Sequence, residues 1–535
     1  MKGGDNKPVQ VNSKVILCSL CLMNAIDLAI FVSRVESICA EMGAILQRAA
    51  FSPNIKDRLD FSCALFDSEG ALFAQAAHIP VHLGSMAYAM AGIIEGVEWQ
   101  PGDMLVVNDP FLGGTHLPDV TMVAPLFVDG QLVSFVANRA HHANIGAEAP
   151  GSMPLSNHMD QEGLLIPPTI FVRGGEWVSE ILEQLTGMPG SDTSGDFAAQ
   201  VSANKKGVVR LGDLIETMGS ERFADGVVAI NDYGEKLASS ALARMPEGLY
   251  KFSDTMDNDG FAAVSIPISV SLDISSAGIN VDFEGTSAQV AGNINCPLSV
   301  TAAAVYYAFR CLLPEQTPNC AGTYRCISIK APANCLVNAS RPAATAAGNV
   351  ETSMRLVDVM LGALAEVIPN EIPAASQGTM NNVAMGARDA QLSWDYYETI
   401  GGGMGACRQR HGLSGVQCHM TNTLNTPIES LELHYPLRIE RYQLRQGSGG
   451  EGAFKGGNGL IRDFRFLADT DVTLLTERRV IGPWGLEGGA AGQCGKNLLD
   501  GELLPAKVQF RAEQGQVLSI ETPGGGGYGI APSSD

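Results

Sequence analysis

Hydrophobic and polar positions change period several times along this chain, and each change marks an element. From Ser33, apolar residues recur at Val35, Ile38, Cys39, Met42, Ile45, Leu46 and Ala49, the spacing of one buried helix face. Ser33 and Glu36 form a candidate capping box for this helix, and Phe51, Ser52 and Pro53 end it. The stretch DFSCALFDSEGALFAQ then reads as a hairpin turning at residues 67–70. DMLVVNDP and TMVAPLFVDGQLVSFVANRAHH read as buried strands, the latter folding back at Asp129-Gly130.

After Gly163 the pattern is mixed, and from about Leu211 to Met245 it is mostly helical. Between Val264 and Phe283 it changes to period two, with Val264, Ile266, Ile268, Val270 and Leu272 followed across SSAG by Ile279, Val281 and Phe283. That predicts an antiparallel hairpin. Helices are expected at VTAAAVYYAFRCLL and VETSMRLVDVMLGALAEVI, and a turn-rich β region at the glycine clusters GSGGEG, KGGNG and GGGGYG. No fixed-period repeat is visible. The expected architecture is multidomain α+β, with mixed sheets, helices and a glycine-rich C-terminal β region. The divisions are an extension at 1–26, an α+β unit at 27–210, a helical and antiparallel unit at 211–345, and a helix followed by β structure at 346–535.

Composition narrows the function classes. The 535 residues are 45% hydrophobic and 17% charged, enough for large cores. A net charge of -22 argues against nucleic acid and anionic membrane as partners, since both select for dense Lys and Arg. Twelve cysteines without a regular framework suit reduced thiols in a cytoplasmic protein. Cys18 and Cys21 have CxxC spacing, but no second pair follows to complete a zinc site. The apolar run Val15 to Val32 is interrupted by Asn24 and Asp27, so it is read as an extension leading into a helix and not as a membrane span.

The candidate chemistry lies in NDPFLGGTHLPDVTMVAPLF, where His116 and Asp119 stand three apart in a loop that Pro118 keeps from being helical. If the strands on either side of Asp129-Gly130 pair, NRAHHANIG brings His141 and His142 to the same end of the sheet. Adjacent strand residues point to opposite faces, so only one of these two can join His116 and Asp119 as a ligand; the other is left to orient substrate or to donate a hydrogen bond that supports a ligand. Two imidazoles and a carboxylate make a three-ligand divalent site with room for water. Asp60 is a further carboxylate. The same residues also fit ordinary turn carboxylates and hydrogen-bonding imidazoles, and spacing alone leaves both readings open. His78, His82 and His158 add to the crowding of histidine in the first third. MDNDG lacks the glutamate of a calcium loop, and no glycine cluster has phosphate-loop spacing.

RLDFSCALFDSEGALFAQAAHIPVHLGSM, NDPFLGGTHLPDVTMVAPLF, ANRAHHANIGAEAPGSMP and TPGGGGYG together resemble the hydantoinase B/5-oxoprolinase family, from about Asp27 to Gly529. The resemblance implies a cytoplasmic hetero-oligomer in which a hydantoinase A-type partner holds ATP and Mg and phosphorylates the carbonyl of a cyclic amide. This chain would then open the ring. It implies a divalent metal, Zn or Mn, on His116, Asp119 and His141 with Asp60 as fourth ligand, and catalytic roles for His142 and Asp60. The related acetone and acetophenone carboxylases offer an alternative reading, ketone carboxylation, and a third is a non-catalytic role in assembly. Residues 1–26 precede the usual family start.

Overall fold

The computed structural model describes residues 23–76, 78–186, 194–388 and 393–531. Cys18, Cys21 and the first part of the Val15–Val32 run lie outside them.

The first helix, α1 (Ala25–Ala49), begins earlier than the periodicity predicts. Asn24, not Ser33, is its N-cap: the Asn24 side chain accepts from the backbone N–H groups of Ile26 and Asp27 at 3.0 and 2.9 Å. Ser33 lies inside the helix, where its carbonyl accepts from the Ser37 hydroxyl. A capping amide followed by Asp27 at the positive end of the dipole outcompetes the later serine. The predicted face is buried at Val35, Ile38, Cys39, Met42 and Leu46, whereas Ala49 faces solvent.

A seven-stranded sheet follows, built from β1 (Phe61–Asp67), β2 (Leu72–Gln75), β3 (Met104–Val107), β4 (Asp119–Val128), β5 (Gln131–His141), β6 (Thr169–Arg173) and β7 (Glu176–Trp177) in the order β2-β1-β5-β4-β3-β6-β7. Every pairing is antiparallel. Both expected hairpins form. Asp129 and Gly130 adopt φ of 51° and 78°, the left-handed pair that a two-residue hairpin turn requires.

The helical region begins before Leu211. Short α2 (Pro53–Lys56) follows α1; α3 (Pro80–Ile94) lies between β2 and β3; α4 (Ser179–Thr186), α5 (Ser194–Met218) and α6 (Ser220–Leu242) come after the sheet. Helices α1, α5 and α6 share a core with Cys63, Leu65, Val136 and Ala140. Helix α3 packs on the opposite face against Ala64, Phe66, Val123, Phe135 and Ala137. Side-chain parity on β4 and β5 therefore decides what meets α3 and what meets α5.

Three further sheets complete the chain. The period-two region forms strands Gly248–Asn258, Val264–Ser275 and Gly278–Asp282, joined by a parallel strand Ile327–Lys330. Helices Leu298–Arg310 and Ser353–Val367 contribute to its core. The remaining strands make a four-stranded and a five-stranded antiparallel sheet. The terminal glycines are not simply turns. Residues 524–527 are buried, and a Cβ at Gly525 would lie 2.1 Å from the carbonyl oxygen of Met404, so backbone segments touch there without intervening side chains. Among the described residues, no helix is long and apolar enough to cross a membrane.

A candidate metal centre

The β4–β5 register sets Asp119 directly opposite His141. Both share the α3 face, as Arg139 and Thr121 do two positions away: Arg139 donates to Thr121 on β4, to Ser85 on α3 and to the Gly113 carbonyl. Between β3 and β4 the chain turns tightly at Gly113-Gly114. A Cβ at Gly114 would stand 2.4 Å from the carbonyl oxygen of Asn108, so only glycine brings the following Thr115 and His116 back over the sheet.

Asp119 is fully buried, and its two oxygens do different work. Oδ2 accepts from the Thr115 hydroxyl at 2.6 Å and the Asn349 amide at 3.2 Å, and lies 3.2 Å from His82 Nε2. Oδ1 faces His116 Nε2 at 3.2 Å and His141 Nδ1 at 3.1 Å. Burial alone would raise the Asp119 pKa, but His116, His82 and the hydrogen bonds together hold it well below the usual carboxylate range. This carboxylate is anionic throughout the neutral range.

The imidazole partners assign the tautomers. His116 Nδ1 lies 3.1 Å from the carbonyl oxygen of Ala346, which can only accept, so the proton sits on Nδ1. In the neutral ring Nε2 then directs a lone pair toward Asp119 Oδ1, and with no donor between them the two cannot hydrogen-bond. His141 donates from Nδ1 to Asp119, leaving Nε2 buried with no hydrogen-bond partner among the described residues. The His116 lone pair set against the carboxylate and the unpartnered His141 Nε2 lone pair are both relieved by a cation. This donor set fits a divalent ion, and ligand atoms of His116, Asp119 and His141 all lie within 4.8 Å of one another. Protonation is the other relief: burial opposes it at both rings, but Asp119 raises the His116 pKa, while burial lowers that of His141.

Supporting groups hold the cluster in place. Glu162 is buried beneath it and accepts from the backbone N–H groups of Thr345 and Ala346, which aims the Ala346 carbonyl at His116. Tyr397 stacks on His141 at 4.7 Å with a 12° tilt, and the Arg58 guanidinium lies over the Tyr397 ring at 4.9 Å. The Tyr397 hydroxyl donates to Asn382, whose amide donates to Glu351. Asn349 and Glu351 both belong to one π turn, Gly348–Thr352, immediately before the Ser353–Val367 helix.

Asp60 sits at the edge of the cluster, 3.8 Å from His82 Nε2 and 3.7 Å from Arg58. With the Ser62 hydroxyl 3.5 Å from His82 Nδ1, the His82 Nε2–H bridges Asp60 and Asp119. His142 is not brought to the cluster. One residue beyond His141, it points to the α5 face, where Nε2 donates to Gln200 and the ring packs on Phe197. Sequence reasoning does not single out His82, Thr115, Asn349 or Tyr397; the crowding of histidine in the first third is the one trace of His82. A narrow cavity of ≈ 20 Å³, about the room one water needs, lies against Asp60, His82, His141, Asn349 and Tyr397.

Four antiparallel or mixed sheets with a buried imidazole–carboxylate cluster at one sheet end describe a class: an α+β protein whose donor set fits a divalent ion. The chain belongs to the hydantoinase B/oxoprolinase family, whose sequence model matches residues 24–531. It is 38% identical to 5-oxoprolinase 1 of Arabidopsis thaliana, across 95% of this chain but only 42% of that protein. It is 32% identical to the B-type component of a putative D-/L-hydantoinase of Pseudomonas sp. strain NS671, across 95% of this chain and 90% of that one. The crystal structure of ATP-dependent caprolactamase from Pseudomonas jessenii superposes with a TM-score of 0.89 and 27% identity, covering 96% of this chain and 92% of that chain.

Proposed function

We propose that this chain is the ring-opening, metal-bearing half of an ATP-dependent cyclic amidohydrolase, working in a hetero-oligomer with an ATP- and Mg-binding partner of hydantoinase A type. The observation that carries the reading is the convergence of His116, Asp119 and His141 on one buried point. It is supported by kinship with proteins named 5-oxoprolinase, D-/L-hydantoinase and ATP-dependent caprolactamase. The chain's extent relative to its relatives agrees with a divided enzyme: it spans nearly all of the hydantoinase component but less than half of the plant 5-oxoprolinase.

The division of labour follows from chemistry. A lactam carbonyl is a poor electrophile, and phosphorylation of its oxygen by the partner activates the ring carbon: water adds there, the C–N bond breaks as the ring nitrogen takes up a proton, and a second water hydrolyses the resulting acyl phosphate to carboxylate and phosphate. A divalent metal, Zn or Mn, held by His116, Asp119 and His141 supplies a polarised carbonyl or an acidic bound water. Thr115 and Asn349 fix Asp119 Oδ2, so that Oδ1 presents its lone pairs to the two imidazoles. Asp60 lies at the cavity wall, the position for a base that takes the proton of an attacking water, and the His82 Nε2–H between Asp60 and Asp119 orients the two carboxylates. Glu162 and Tyr397 keep the imidazoles from turning. His142, hydrogen-bonded on the other face, braces the end of β5.

The test is co-expression with the A-type partner, followed by ADP release and ring opening across lactams and hydantoins. Ring-dependent ADP release is expected, and His116→Ala should lose bound metal and ring opening while keeping its far-ultraviolet circular dichroism. Full turnover in a metal-free His116→Ala complex contradicts the reading.

A further inference from the structure

A second cavity, of ≈ 420 Å³, opens beside the narrow cavity at His141 and shares Thr421 with it. The two spaces alternate along the same backbone segments. Pro80 lines the larger while Ile79, Val81 and His82 line the smaller; His419 lines the larger while Met420 lines the smaller. The volume suits a small-molecule ring, which the ≈ 20 Å³ space beside the metal ligands does not.

Its walls are chiefly apolar, from Leu312, Leu361, Ile372 and Met404 among others, and its described lining contains neither Lys nor Arg. The one carboxylate there, Glu371, pairs with Arg244 at 2.8 Å. Arg58, next to the inner cavity, is committed to Asn54, the Tyr397 carbonyl and Thr399. Two polar atoms stand ready for a ligand. Gln417 Nε2 donates to the Thr399 carbonyl, which fixes the amide orientation, and its Oε1 is buried with no hydrogen-bond partner among the described residues. His419 is 7% exposed and its Nε2 likewise has no such partner; the nearest anion, Asp358, is 3.9 Å away. Nδ1 lies 3.4 Å from the Tyr307 hydroxyl, which can donate or accept; the Asp358 carboxylate on the other side of the ring favours the tautomer with its proton on Nε2. His419 also holds φ at 60°, a left-handed conformation costly for a non-glycine residue.

From these groups we infer that the cavity is the ring-binding chamber of the metal centre and that it selects an uncharged cyclic amide over one bearing a carboxylate. The inference rests on the function proposed above and adds the substrate class. A cyclic amide presents N–H and C=O on one edge, matching the Gln417 acceptor and the His419 donor. A carboxylate on the incoming ring, as in 5-oxoproline, would be moved from water into an apolar chamber with no cation to receive it, whereas the phosphoryl group is added only afterwards, at the carbonyl edge, with the Mg of the partner to balance its charge.

The test is calorimetric titration of the chain, loaded with Zn or Mn and complexed with its partner but without ATP, against 2-pyrrolidinone, ε-caprolactam and 5-oxoproline. The neutral rings should bind at least about tenfold tighter than the anionic one, a gap of about 1.4 kcal/mol. Gln417→Leu should weaken neutral rings by about three- to tenfold, the loss of one neutral hydrogen bond, without changing metal content. Leu312→Arg, at a half-buried wall position, should narrow or reverse the preference. Binding of 5-oxoproline as tight as the lactams, no binding of either class, or a Leu312→Arg variant with unaltered preference each overturns the inference. Ring-selective binding without ring-dependent ADP release would leave the chamber standing and remove the hydrolase reading.

Discussion

Asp119→Asn isolates the contribution of charge at the centre from that of shape. The substituted amide keeps the volume of the carboxylate, and its oxygen still accepts from Thr115 while its nitrogen faces the His116 Nε2 lone pair and His141 Nδ1, whose proton must move to Nε2 to accommodate it. The fold therefore loses little: about 1–3 kcal/mol for rearranged buried hydrogen bonds, a shift of only a few degrees in Tm for a chain of this size. Metal binding loses much more. Closed four-ligand zinc sites are worth about 10–16 kcal/mol, so one anionic ligand accounts for about 3–4 kcal/mol and its removal weakens Kd by about 100- to 1,000-fold. The assay is competition with a fluorescent chelator at pH 7, alongside thermal melts with and without metal. Wild-type affinity in Asp119→Asn, or an apo variant that no longer melts cooperatively, would refute the reasoning.

Gly114→Ala should destabilise the chain by more than about 2 kcal/mol and weaken metal binding with it, since the new methyl meets backbone oxygens of Asn108 and Asp109 at 2.4 and 2.7 Å; a melt unchanged within about 1 °C opposes this. Burial raises the Glu351 carboxyl to about 8, with nearby Glu477 adding to the shift and Lys507 opposing it. A folded pKa above the unfolded one means the folded state binds more protons between about 4.5 and 8, so stability falls as pH rises through that window. Glu351→Gln should flatten this slope, measured by urea unfolding at pH 5 and pH 8. Tyr397→Phe should cost about 1 kcal/mol by abandoning Asn382 while leaving metal affinity near wild type, because the stack on His141 remains; Tyr397→Leu should weaken metal binding as well.

Much of this centre is legible in the sequence, because it depends on local rules. Asp129-Gly130 dictates a two-residue turn, the turn dictates the β4–β5 pairing, and strand parity separates His141 from His142. What is not legible depends on packing between distant segments. His82 reaches Asp119 only because α3 crosses the sheet on the His141 face, and Asn349 and Tyr397 arrive from more than 200 residues along the chain. The π turn carrying Asn349 has no sequence signal of the kind that marks a hairpin. Ser33 misleads for a simpler reason: a good capping residue with Glu three positions later also occurs inside helices, and the competing cap at Asn24 lies in a stretch that reads as an extension. The terminal glycines read as turns, since close contact between two backbone segments is a property of the pair and is invisible in either one.

The most direct measurement is anomalous diffraction at the metal edge from crystals of the chain grown with Zn or Mn. A single strong peak enclosed by His116, Asp119 and His141, absent in His116→Ala crystals, is the predicted result. A peak at some other cluster, or none at this point under saturating metal, would contradict the account.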